Sequence, residues 1–107
     1  MKRLLFLLLL LSGIVHSQIT AIHFNASWNS SNDVSWFGDL TDAKLKNIDI
    51  AADAAAGTNW KITVVPTILI IVDGEEEERY EADISFSMQA TKEEIQEVID
   101  EIVMDQF

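Results

Sequence analysis

Cysteine is absent from all 107 residues. Its absence removes disulfide staples, thiolate metal sites and thiol chemistry together. Proline occurs once, at Pro66, and histidine twice, at His16 and His23. With so few imidazoles, nucleophilic catalysis by serine has almost no base to draw on. Basic residues are scarce too: seven Lys and Arg stand against 18 Asp and Glu, a net charge of −11. Such a balance repels nucleic acid and anionic lipid and keeps a small protein soluble. The length suits one domain, and the sequence contains neither an internal repeat nor a low-complexity linker.

The longest apolar run, Leu4 to Val15, is broken by Ser12 and Gly13 and falls short of the ~20 residues that span a bilayer. Met1-Lys2-Arg3 supplies a basic start, Leu4 to Leu11 an almost pure leucine stretch, and Val15 with Ser17 the spacing of a cleavage site. This pattern predicts a secretory signal peptide over residues 1–17, cleaved after Ser17, with an exported domain over 18–107. Without a junction cysteine, lipid attachment at the leader is excluded. The remaining domain keeps five basic residues against all 18 acidic ones, a net charge of −13.

Ile19-Thr20-Ala21-Ile22-His23-Phe24 is a β-branched apolar run suited to a strand buried on both faces. Ser30, Ser31 and Asn32 offer N-cap side chains, and Val34, Phe37 and Leu40 follow at three-residue spacing. A helix is expected from about Asn32 to Leu40. A second strand is expected over Lys46 to Ile50, and a brief alanine-rich helix over Asp53 to Asn59. Thr67 to Val72 is the clearest strand. Asp73-Gly74 after it suits a tight hairpin in which both central residues take positive φ, with Glu77 to Ala82 as the returning strand. Thr91 with Glu94 makes a capping-box pattern, and Ile95, Val98, Ile99, Ile102 and Val103 form one apolar stripe on a last helix. The expected architecture is therefore α/β: a four-stranded mixed sheet in the order β-α-β-α-β-β-α, flanked by helices on both faces.

Three short motifs in this order resemble the thioredoxin family. Ala26-Ser27-Trp28-Asn29-Ser30-Ser31-Asn32 stands where thioredoxins have Ala-x-Trp-Cys-Gly-Pro-Cys at a strand-to-helix junction. Val64-Val65-Pro66-Thr67 is similar to the segment around the family's cis-proline, and Val72-Asp73-Gly74-Glu75 to its strand-turn-strand. The likeness runs from about Ile19 to the C-terminus, and the family's leading strand and helix have no counterpart. It implies a thioredoxin-like fold, a cis Val65–Pro66 bond, and His23 at the place of the family's buried acid. The two redox positions hold Asn29 and Asn32, whose amides are neither thiolate nucleophiles nor disulfide partners. The resemblance thus implies a redox-inactive member.

Other chemistry finds little support in the residues. Ser27, Ser30 and Ser31 are read as helix-capping residues, and His23 as a hydrogen-bonded interior side chain. The acidic stretch from Asp73 to Glu78 lacks the alternating ligand spacing of a calcium loop and is read as a solvated hairpin tip. Asn25-Ala26-Ser27 and Asn29-Ser30-Ser31 match the N-glycosylation pattern by chance. Trp60 is expected in the core, Trp36 at its rim, and Trp28 at the exposed site.

The sequence therefore predicts an exported, periplasmic or secreted, monomeric domain that is not an enzyme and needs no cofactor or metal. It is expected to bind a protein or extended peptide, but no nucleic acid, at Trp28, Asn29, Asn32, Val65 and Pro66, with Val65 pairing by strand addition. One alternative is an accessory subunit that relies on a partner's cysteines. Another is a structural domain that self-associates through the apolar linker Ile84 to Met88.

Overall fold

The structure is a computed structural model that describes residues 18–106; the expected leader lies outside the described residues. Four strands, β1 (Ile19–Asn25), β2 (Lys44–Asp49), β3 (Thr67–Val72) and β4 (Glu75–Glu81), form one sheet in the order β2-β1-β3-β4. β1 runs parallel to β2 and antiparallel to β3, and β3 runs antiparallel to β4. The sheet is mixed, as the turn chemistry predicts.

The central strands are apolar on both sides because both sides are covered. Ile19, Ala21, Ile68 and Ile70 enter one core with Val34, Phe37, Leu40, Ile95 and Ile99. Ile22, Phe24, Leu69 and Ile71 enter the other, against Ile48, Ile50, Trp60 and Ile62. Each fully buried side chain of this size contributes roughly 1.5–3 kcal/mol. Truncating Ile70 to alanine would cost about 2–5 kcal/mol through the cavity it leaves.

Between β1 and β2 the chain departs from the sequence-based expectation. Instead of an α-helix over residues 32–40 there are two 3₁₀ segments, Ser27–Asn32, kinked at Asn29, and Phe37–Asp39. The spacing of Val34, Phe37 and Leu40 explains the difference: three residues is the repeat of a 3₁₀ turn rather than of an α-helix. Nor do Ser30, Ser31 and Asn32 cap a helix; the first segment has no side-chain cap.

Helix α1 (Ala54–Asn59) is capped by Asp53, whose carboxylate accepts from the Ala56 amide at 3.2 Å. Its Gly57 is buried, and a Cβ there would come within 3.3 Å of Ile50, so the glycine allows the close approach. The Asp73-Gly74 turn has φ of 53° and 87°, as its residue types predict. β4 begins at Glu75, two residues earlier than expected, because a bulge opposite Ile70 and Ile71 absorbs Glu77. Arg79 fastens this strand: it forms a two-pronged pair with Glu76 (2.9 and 2.8 Å) and donates to the Trp60 and Lys61 carbonyls at 2.8 and 3.2 Å. Arg79's hydrogen bonds hold the Glu76 carboxyl below its usual range.

Helix α2 (Lys92–Asp105) begins with the expected capping box. Thr91 Oγ1 accepts from the Glu94 amide at 3.1 Å, and Glu94 Oε1 accepts from the Thr91 amide at 2.8 Å. Ile95 and Ile99 are fully buried, with Ile102 and Val103 packed beside them.

Candidate functional site

Phe24 of β1 pairs with Thr67 of β3 in antiparallel register. The residues that follow β1 and those that precede β3 therefore leave the sheet at one end. That end carries all five site residues expected from the sequence, but in different states. Trp28 is 66% exposed, Asn32 is half-buried, and Asn29, Val65 and Pro66 are buried.

Asn29 is buried because its carboxamide is fully used. Its Nδ2 donates to Asn25 Oδ1 at 3.1 Å and to the Phe86 carbonyl at 3.3 Å, while its Oδ1 accepts from Asn32 Nδ2 at 2.9 Å. Asn25 completes the network by donating to the Asn29 carbonyl at 3.1 Å and to the Asp33 carboxylate. A carboxamide offers two donors and one acceptor oxygen. Asn29 thus ties the first 3₁₀ segment to the segment that precedes α2.

That second segment is itself held by Asp83. Its carboxylate accepts from the Ser85 hydroxyl at 2.6 Å, the Ser85 and Ser87 amides at 2.9 and 3.3 Å, and Gln89 Nε2 at 2.9 Å. The Ser85 hydroxyl chiefly, then its amide, draws the Asp83 carboxyl below its usual range. The turn holds Phe86 in a left-handed conformation, φ 62°, which costs a non-glycine residue roughly 1–2 kcal/mol. In that position the Phe86 ring meets Trp28 edge to face, centroids 5.5 Å apart. Ile84, on the same turn, is 98% exposed.

The Val65–Pro66 peptide is cis. Thr67 Oγ1 donates to the Val64 carbonyl at 2.7 Å, and Pro66's carbonyl accepts from Ala82 at 3.0 Å. Among the described residues, the backbone N–H and C=O of Val65 make no hydrogen bond.

Trp28 and the 84–88 segment, which belong to alternative readings of the sequence, meet in the structure through Phe86. Sequence reasoning missed Asn25 as a partner of Asn29, and Asp33 as a partner of Asn25. Three Asn and one Asp within nine residues were the available signal, but composition alone does not pair them. His23 is buried, with Nδ1 2.9 Å from Asn47 Oδ1. Both asparagines of the glycosylation patterns, Asn25 and Asn29, are buried with their amide nitrogens donating. No helix among the described residues is long and apolar enough to cross a membrane. Chemically, the site offers aromatic surface and amides, which can recognise but hold no thiol to exchange.

No protein-family model matches the sequence, and no curated protein matches it. Solved structures do. A mutant thioredoxin from Halobacterium salinarum superposes with a TM-score of 0.63 at 20% identity, covering 79% of this chain and 74% of that one. A poplar thioredoxin h gives 0.60 at 20% identity over 80% and 77%. A Fasciola hepatica thioredoxin gives 0.57 at 20% identity over 90% and 89%.

Proposed function

We propose that this chain, a thioredoxin fold with asparagine at both former redox positions, is an exported, non-catalytic module that binds a protein or extended peptide at that end of its sheet. The observation that carries the reading is the Trp28–Phe86 pair: two apolar rings kept at the surface by a hydrogen-bonded frame beneath them. Large exposed aromatics on a rigid support are favoured anchors for protein contacts. Val65 adds an unused backbone donor and acceptor at the same end, which a partner strand could pair once it reaches them. The acidic surface favours partners with basic segments. Nothing in this scheme needs a cofactor or metal.

The test is capture of partners from the exporting cell's extract by the protein and by its Trp28→Ala/Phe86→Ala variant, both checked for folding by circular dichroism. Partners lost with the two rings support the reading, and partners retained in full would sink it. The near-complete exposure of Ile84 favours one rival, self-association through residues 84–88. Light scattering decides between them: a monomer at high concentration supports the binding module, and mass that rises with concentration and falls with Ile84→Ser supports the rival.

A further inference from the structure

The sheet order β2-β1-β3-β4 leaves two outer edges among the described residues, and the two differ. β4 is interrupted by the bulge opposite Ile70 and Ile71, which bends an edge away from an incoming strand. β2 has neither bulge nor proline: it follows β1 in unbroken parallel register from Lys44 to Asp49. Its edge is the regular one.

The backbone of that edge is open. Ile50 N–H donates to the Asn25 carbonyl at 2.9 Å. In a parallel pair alternate residues turn both backbone groups toward the same neighbour, so Ile50, Ile48 and Lys46 face β1 while Leu45 and Asn47 face away from it. The outward N–H and C=O groups of Leu45 and Asn47 make no hydrogen bond among the described residues. Asp49, next in the outward series, already accepts at its carbonyl from the Ala52 and Asp53 amides at 3.0 and 2.9 Å. The open stretch ends there.

Its side chains select by charge. Lys46 lies beside Ile22 and Ile48 beside Phe24, so Lys44, Lys46 and Ile48 share the sheet face of that core and Leu45 takes the opposite one. Both lysines are exposed, and neither forms an ion pair among the described residues. In a domain of net charge −13, two of the five basic residues therefore stand two positions apart on one edge strand. Leu45 and Ile48, half-buried on opposite faces, leave apolar surface that a further strand alongside would cover.

We infer that the outer edge of β2 takes up an extended acidic segment of a partner protein as a fifth strand. Opposite Lys44 and Lys46 that segment places carboxylates; opposite Leu45 and Asn47, whose backbone groups it pairs, it places β-branched or other apolar side chains. A second copy is the poorer occupant. β2 against β2 crowds lysine on lysine, and any approach of two copies sets −13 against −13. The surface lies on a different element from the aromatic pair and does not depend on binding there.

The experiment is an NMR titration of the isotope-labelled protein with the peptide acetyl-Thr-Val-Glu-Val-Glu-Thr-amide. Two controls accompany it: the counterpart with lysine for both glutamates, and a version N-methylated at both valines. The acidic peptide is expected to give saturable shifts at the Leu45 and Asn47 amides and to slow their exchange with solvent. Each control should bind at least about tenfold more weakly. Lys44→Glu/Lys46→Glu changes two exposed side chains; it should keep the circular dichroism of the parent and reverse the preference between the two charged peptides. The inference is overturned by no saturable shift at Leu45 and Asn47, by equal binding of the charged peptides, or by a preference that survives the charge reversal. Shifts confined to Trp28 and Phe86 would give the peptide to the aromatic end and overturn it too. So would Leu45 and Asn47 amides that shift with protein concentration alone, which would give the edge to a second copy.

Discussion

Trp28 and Phe86, far apart in sequence, meet with ring planes at 88° and centroids 5.5 Å apart, an edge-to-face arrangement that aligns the positive rim of one ring with the negative face of the other. Such pairs contribute about 0.5–1.5 kcal/mol beyond the area they bury, and exposure of both rings puts this one at the lower end. Unfolding of Trp28→Ala, Phe86→Ala and the double variant should therefore give a coupling of about 0.5 kcal/mol. Strictly additive losses would mean the rings do not interact in solution.

Asn29 makes a sharper prediction. Asn29→Ala leaves Asn25 Oδ1, the Asn32 amide and the Phe86 carbonyl without their partner, at a cost of about 1–3 kcal/mol. Asn29→Asp is nearly isosteric, yet it replaces two donors by acceptors that face Asn25 Oδ1 and a carbonyl. It should destabilise at least as much as alanine. Urea unfolding of both variants decides the point, and a harmless Asn29→Asp would show that the network does not form.

Much of the fold was legible in the residues. Asp73-Gly74, Thr91 with Glu94, and the apolar run from Thr67 to Val72 state their structures locally, and the hairpin, the capping box and the central strand follow from them. Val34, Phe37 and Leu40 were legible too, but a three-residue spacing read as part of a helix is a 3₁₀ repeat. The site was harder. That Asn29 would be buried, and that Phe86 would come to lie on Trp28, depends on a turn held by Asp83 and on a left-handed residue, neither of which has a periodicity to announce it.

Acid should loosen the aromatic pair. The Asp83 carboxyl is held below its ordinary value of 3.8 by the Ser85 hydroxyl and amide. A carboxyl depressed in the folded state stabilises above the unfolded value, and that contribution disappears as pH falls through the lower folded one. Trp28 fluorescence, read in a background with Trp36→Phe and Trp60→Phe, should stay constant near neutrality and change only below 3.8. In Asp83→Ala it should already show the loosened value at neutral pH. An Asp83→Ala trace that coincides with the parent would disconnect the turn from the rings.

Arg79 on β4 provides a geometric control. Arg79→Lys keeps the charge but loses the two-pronged contact with Glu76 and cannot hold the Trp60 and Lys61 carbonyls together. A loss of about 1 kcal/mol is expected, small because the pair is partly exposed and screened. Glu76 is depressed by Arg79, so the parent's extra stability above 4.5 fades as pH falls through the lower folded value. The variant's acid limb should be the shallower of the two, and parallel limbs would deny the coupling.

The 3₁₀ crossover has a consequence for how the molecule breathes. From Ser27 to Leu40 its backbone is held by short i→i−3 bonds, such as Asn29 to Ala26 and Leu40 to Phe37, rather than by the continuous ladder of an α-helix. Segments with few ladder bonds open at low free energy. Amide protons here should exchange with solvent well ahead of those in β1 and β3. Trp28 and Asn29 therefore ride on a segment that can open while the sheet beneath it stays intact.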